Sequence, residues 1–144
     1  LRPKNVLTTD LFGFEHLLGE SDSVFICEGI YNSLSFMELG YQSIFNFGVA
    51  SIKDKIKTLY LKGIKNIVLC GDNDEVGRSF SKECYHLLKH NFNTTFFQFP
   101  YNSPEKCDSN DLLKNEREIL QECIDKSLSK GLIKIKYNKI QEIN

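Results

Sequence analysis

With 144 residues, 41% hydrophobic and 26% charged, the chain is long enough for one domain with a real core, and no apolar run approaches the ~20 residues of a membrane helix. A net charge of −1, from 18 basic and 19 acidic residues, argues against an isolated high-affinity nucleic-acid binder, whose affinity would come largely from neutralising phosphates. It leaves room for an enzyme that meets nucleic acid through a metal and a neighbouring domain, and five cysteines without a CxxC spacing argue for a reduced, intracellular protein with neither a disulfide framework nor a zinc site.

The first residue is Leu1, so the chain is expected to be a piece of a longer protein, and LRPKNVLTTD lacks the apolar core of a signal peptide. Residues 1–22 read as a lead-in segment, with a short helix from the capping Asp10 to Gly19. Ser23–Cys27 (SVFIC) is a short continuous apolar run, the pattern of a strand buried on both faces. Tyr31–Leu39, with Leu34, Phe36 and Met37 as its apolar positions, predicts a helix stopped by Gly40, and Ser43–Phe47 a second strand ended by Gly48. Ser51 is placed to cap a helix with Ile52, Ile56, Leu59 and Tyr60 on one face and lysines on the other, closed by Gly63. The lysines Lys53, Lys55, Lys57, Lys62 and Lys65 read as a solvated face.

Asn66–Cys70 is the third apolar strand and Gly77–Lys89 the third helix, burying Phe80, Cys84, Leu87 and Leu88, with His86 and His90 on its polar side. Thr94–Phe99 is a fourth strand, Pro100–Pro104 interrupts the chain, and a last helix is expected over Leu112–Leu128. Strands alternating with helices at this spacing predict an α/β fold, a three-layer, Rossmann-like sandwich around a mainly parallel sheet of about four strands with right-handed crossovers. Residues 23–128 form the expected domain. Residues 129–144 form a basic and apolar tail, in which Leu132–Ile140 alternates as an edge strand or a linker would.

Open parallel sheets gather ligands at the carboxyl ends of their strands. Glu28 follows the first strand, Asp72 and Asp74 follow the third, and Asp108 with Asp111 lies beyond the fourth. Two carboxylates about 5 Å apart repel by roughly 3 kcal/mol at an effective dielectric of ~20, so such a group protonates, splays apart or recruits a cation. Oxygen ligands favour Mg²⁺, Mn²⁺ or Ca²⁺ over zinc. Gly71 and Gly77 flank the acids, where they let backbone approach and free helix amides for phosphate. A purely structural reading also stands: Asp74 caps the third helix, Asp108 caps the last one, and Asp111 sits in its first turn. The convergence of all three sets on one edge favours the cation.

At these residues the sequence resembles the Toprim domain shared by bacterial-type DNA primases, phage and organellar primase-helicases, topoisomerases and some nucleases. ICEGIYNSLSF (26–36) is similar to its strand–Glu-Gly–helix element, FNFGVAS (45–51) to its glycine-bearing second strand end, CGDNDEVGRSFSKE (70–83) to its DxDxxGR element, and DSNDLL (108–113) to its later acidic loop. LFGFEHL (11–17) resembles the segment just upstream in primases. The resemblance implies Mg²⁺-dependent (or Mn²⁺-dependent) nucleotidyl transfer on nucleic acid, making RNA primers in DNA replication. Glu28, Asp72 and Asp74 match the family's catalytic acids and, with Asp108, its metal ligands; Gly29, Arg78, Lys106 and Asp111 match positions near phosphate or nucleic acid. Cys107 stands where primase-like members often have a lysine, with Lys106 one place earlier. The implied partners are a DNA template, nucleoside triphosphates, a helicase domain or protein and further primase domains, in cytoplasm and nucleoid, an organelle or a phage-infected cell.

Two alternatives remain open: a Toprim-type endonuclease using the same acids, and a metal-binding docking module without catalysis. A topoisomerase needs a nucleophilic tyrosine in a separate domain, and neither Tyr101 nor Tyr137 shows that character. Receiver domains and haloacid-dehalogenase-like phosphatases place their acids after different strands.

Overall fold

The computed structural model describes residues 21–46, 49, 52–100 and 108–128. The lead-in helix, the strand end at Phe47–Gly48, Ser51, Lys106 and the tail strand lie outside them. Four strands, β1 (Ser23–Cys27), β2 (Ser43–Phe45), β3 (Asn66–Cys70) and β4 (Asn93–Phe96), form one parallel sheet in the order β2-β1-β3-β4. The expected α/β fold is therefore the observed one. β1 and β3 are central, and every residue of β3 is buried, which is why both read as unbroken apolar runs.

Helices α1 (Ile30–Glu38), α2 (Ile52–Leu61), α3 (Glu75–Leu88), α4 (Ser109–Asn115) and α5 (117–128) cover both faces. On one face Ile26, Ile67 and Leu69 pack with Ile52 and Leu59 of α2 and Phe80, Cys84 and Leu88 of α3. On the other, Phe25, Val68 and Phe97 pack with Phe36 of α1, Leu112 and Leu113 of α4, and Leu120 and Ile124 of α5. Burying each such side chain is worth about 1.5–3 kcal/mol, and ring pairs such as Phe25–Phe36, with centroids 4.2 Å apart, add to it.

The predicted glycine stops are helix ends of one kind. Gly40 (φ 90°) and Gly63 (φ 83°) are left-handed. Their N–H groups donate to Met37 O and Tyr60 O, while Tyr41 N–H and Ile64 N–H reach back to Phe36 O and Leu59 O. That pairing satisfies the last carbonyls of α1 and α2 and turns the chain toward the next strand.

Three details differ from the reading by periodicity. Tyr60 does not join the buried face of α2; it is 67% exposed, while Lys55 is buried at 7%. α1 buries Asn32, Ser33, Ser35 and Phe36 and leaves Leu34 exposed, because its inner face meets hydrogen-bonding groups at the strand ends. The last helix is two: the chain breaks at Glu116 (φ −145°, ψ 57°), so Leu112 and Leu120 reach the same core from differently directed segments.

From β1 the chain moves outward to β2, with α1 on one face, then returns past β1 to β3, with α2 on the other. The order reverses between β1 and β3, and a crevice opens outside the carboxyl ends of strands at such a switch point.

Candidate metal centre at the carboxyl edge

Cys27 of β1 pairs with Cys70 of β3, and Glu28 N–H donates to Cys70 O at 3.2 Å, so the ladder runs to the edge and sets Glu28 beside the Gly71–Asp72 turn. There the Glu28 carboxyl is hydrogen-bonded to the Asp72 carboxyl and accepts from the Asp72 backbone. Burial, the hydrogen bond to Asp72, and the charges of Asp72 and Asp74 raise Glu28 from 4.5 to about 7.

The turn that carries Asp72 is held by backbone packing. A Cβ on Gly71 would lie 2.0 Å from Gly77 O, and one on Gly77 would lie 1.9 Å from Asp72 O. The close approach predicted for these glycines is thus between the loop and the first turn of α3. Gly71 N–H donates to Ser81 Oγ at 3.0 Å, tying the loop one turn deeper into α3. Asp74 is the N-cap of α3, its Oδ1 accepting from Gly77 N–H at 2.7 Å. Gly29 stands over Asp72: a Cβ there would be 4.0 Å from Asp72 Oδ1.

Asp108 is the N-cap of α4 in a reciprocal capping box: its Oδ1 accepts from Asp111 N–H at 2.8 Å, and Asp111 Oδ2 accepts from Asp108 N–H at 3.1 Å. Asp111 itself is exposed.

Asn32, which sequence reading passed over, connects these parts. Its side chain is 2% exposed. Nδ2 donates to Asp72 Oδ1 at 3.1 Å, while Oδ1 accepts from Ser109 N–H at 2.9 Å and Ser109 Oγ at 2.6 Å. One buried amide thus holds the first aspartate of the DxD against the first turn of the helix that Asp108 caps. The available signal was a polar residue between the Glu-Gly pair and the apolar part of α1.

The structure therefore brings Glu28 and Asp72 into contact, with Asp74 and Gly29 beside them and Asp108 linked through Ser109 and Asn32. Arg78 is exposed on α3 one turn past Asp74, and Asp111 serves the cap. Among the described residues, no three His, Cys, Asp or Glu side chains stand close enough to hold an ion as they are oriented. Asp72 and Asp74 each give one oxygen to a neutral N–H, and a carboxylate has about four acceptor sites, so both keep capacity for a cation. The donor set is all oxygen, which fits Mg²⁺ or Mn²⁺.

A parallel Rossmann-like sheet with carboxylates at its switch point and a capped acidic helix beyond β4 defines the class of this domain. The chain belongs to the Toprim-like family, whose pattern matches residues 25–113, more than half of its length. Among solved structures it is similar to the DnaG catalytic core (TM-score 0.66, 17% identity, covering 93% of this chain and 46% of that one). It is also similar to the Aquifex aeolicus primase zinc-binding and RNA polymerase domains (0.65, 19%, 99% and 36%). A third similar structure is the DnaG primase catalytic domain bound to ssDNA (0.61, 16%, 93% and 44%). The chain spans less than half the length of each of these structures. No curated protein sequence matches it. Among the described residues, no helix is long and apolar enough to cross a membrane.

Proposed function

We propose that this chain is the metal-dependent catalytic Toprim core of a DNA primase or primase-helicase, an intracellular nucleotidyltransferase that makes RNA primers in DNA replication. The observation that carries the reading is the Glu28–Asp72 carboxyl contact at the β1/β3 switch point, with Asp74 beside it, in a fold shared with primase cores. Glu28, Asp72, Asp74 and Asp108 are the residues that would hold Mg²⁺ or Mn²⁺. When bound, such a cation neutralises a transferring phosphoryl group and favours ionisation of the attacking 3′-hydroxyl.

The chain's own residues supply orientation. Asn32 fixes one oxygen of Asp72, the Gly77 amide fixes one oxygen of Asp74, and the close Gly71–Gly77 backbone packing holds the turn that carries both acids. Glu28, ionised above about pH 7 in the metal-free chain, then completes an anionic pocket that is repulsive until a cation enters. A DNA template, nucleoside triphosphates and a helicase domain or protein are the partners this reading requires, and Arg78 and Lys106 are its candidates for phosphate contact.

The test is thermal unfolding of the chain with Mg²⁺ or Mn²⁺, beside Asp72→Asn/Asp74→Asn. Binding to the folded state alone stabilises by about 2.7 kcal/mol at a hundredfold excess over Kd. Wild type should respond to metal and the variant should not, and without metal the variant should melt higher, because repulsion is relieved. Primer synthesis from nucleoside triphosphates on single-stranded template should need the same acids. Cutting of the template instead would identify a nuclease.

A further inference from the structure

Among the described residues β4 is an edge strand, and a groove of about 1060 Å³ runs along its outer side, between α3 and α5, with its upper end formed by Gly71 and Asp72. That is at or above the roughly 300–1,000 Å³ of clefts that take one small molecule, so its size suits a segment of a polymer.

The two walls carry one sign of charge. Arg78, Lys82 and His86 recur every fourth residue on α3 and so form a single stripe, and Lys126 faces them from α5. Asp72 is the one acid lining the groove among the described residues; Glu75, Glu83, Glu122 and Asp125 of the same helices lie elsewhere. Between the cations stand rings: Tyr85 lies 5.1 Å from Phe96, and Phe99 stands edge-on to Phe97 at 5.0 Å. Phe96 is 37% exposed although it belongs to a strand.

The floor offers backbone polar groups. Asn93 N–H and Phe97 N–H donate to Lys65 O and Leu69 O on the β3 side, so by the alternation of a strand Thr94, Phe96 and Gln98 turn theirs toward the groove. A parallel strand joined after α5 and laid on this edge would make a left-handed crossover, because α4 and α5 share the α1 face; about 98% of crossovers have the other hand. Cations along a track, ring faces between them and free backbone donors beneath are the elements that hold a single strand, the phosphates on the charges and the bases on the rings.

We infer that the groove between α3 and α5 is a binding track for single-stranded nucleic acid, leading one strand along β4 to the acids at Asp72. The inference rests on the nucleic-acid reading of the domain, but it assigns the strand a path that uses no metal ligand other than the acid at its end.

The test is fluorescence anisotropy of labelled oligo(dT) titrated with the whole 144-residue chain at low ionic strength in EDTA, where a metal plays no part. Arg78→Glu/Lys82→Glu reverses charge on exposed groove residues. Lys53→Glu/Lys57→Glu makes the same change on the exposed side of α2, outside the groove. The groove variant should weaken binding by about tenfold or more and the α2 variant far less. The slope of log K against log salt for wild type should be about −2 to −3, the value for three or four phosphates on a single strand. Tyr85→Leu, which keeps bulk and removes the π face, should weaken binding severalfold with a native melting curve. Equal losses in the two charge variants would reduce the effect to diffuse electrostatics and overturn the proposal. So would an absence of binding by wild type, which would leave the β4 edge to an added protein strand. Asp72→Asn/Asp74→Asn should still bind oligo(dT) in EDTA, so failure of the metal reading and failure of the track give different results.

Discussion

At the scale of single residues, the site is a set of charges held by neutral donors, and two side chains expose its logic. In the metal-free chain Glu28 keeps its proton up to about pH 7 in the folded state but loses it near the ordinary 4.5 when unfolded. Between those values the folded state binds more protons, so stability falls as pH rises through this window and levels off above it. Melting temperatures of the metal-free chain across the window should show that decline; Glu28→Gln should flatten it, and saturating Mg²⁺ should reverse it, because a cation prefers the ionised acids. A decline unchanged in Glu28→Gln would place the titration elsewhere. Asn32 gives the complementary case. Asn32→Ala removes the partner of Ser109 N–H and one donor to Asp72, and leaving such buried groups unpaired costs about 1–3 kcal/mol in urea unfolding. Asn32→Asp keeps the shape and the acceptor for Ser109 but sets a third carboxyl against Asp72. Its destabilisation should therefore be largely relieved by Mg²⁺, which distinguishes it from Asn32→Ala.

At the scale of elements, the acids have two tasks, and substitution can separate them. Asp74 caps α3 and Asp108 caps α4, which the sequence admitted as an alternative to cation binding; the structure shows the caps, and the cation reading has its own test. Asparagine caps a helix as well as aspartate does, whereas alanine loses about 1 kcal/mol. Asp74→Asn should therefore keep the stability of the metal-free chain or raise it while losing the response to Mg²⁺, and Asp74→Ala should lose both. Equal metal responses in wild type and Asp74→Asn would confine Asp74 to its cap.

The same scale shows what the sequence made legible. β1 and β3 were readable to the residue because strands buried on both faces need only apolar side chains, and Gly40 and Gly63 were readable because left-handed helix ends select glycine. The phase of α2 and the face of α1 were not, since Tyr60, Lys55, Leu34 and Asn32 owe their positions to neighbours that are distant in the chain. The break at Glu116 carries no glycine or proline; it follows from two short segments packing on one core. Within the candidate site, Glu28 and Asp72 could be placed on one sheet edge, but their meeting depends on β1 and β3 being neighbours, and the amide joining them to α4 was not legible because its hydrogen bonds to Ser109 span 77 residues.

At the scale of the whole molecule, the proposed ligands come from three separate elements: Glu28 from the end of β1, Asp72 and Asp74 from the β3–α3 turn, and Asp108 from the start of α4. A cation shared by all of them would link the central strands to a helix that otherwise meets this edge mainly through Asn32 and its core leucines. Hydrogen exchange can separate a shared ion from one held by the turn alone. Amides of β1 and β3 sit mid-sheet and exchange through global unfolding, so any cation bound only by the folded state slows them, by about a hundredfold at a hundredfold excess over Kd. Amides in the first turns of α4, such as those of Asp111 and Leu112, exchange by local opening of a seven-residue helix. They should slow with Mg²⁺ only if Asp108 is a ligand, and Asp108→Asn, which keeps the cap, should abolish that local effect while sparing part of the global one. Slowing in β1 and β3 without slowing at Asp111 and Leu112 would confine the cation to Glu28, Asp72 and Asp74 and leave Asp108 as a cap alone.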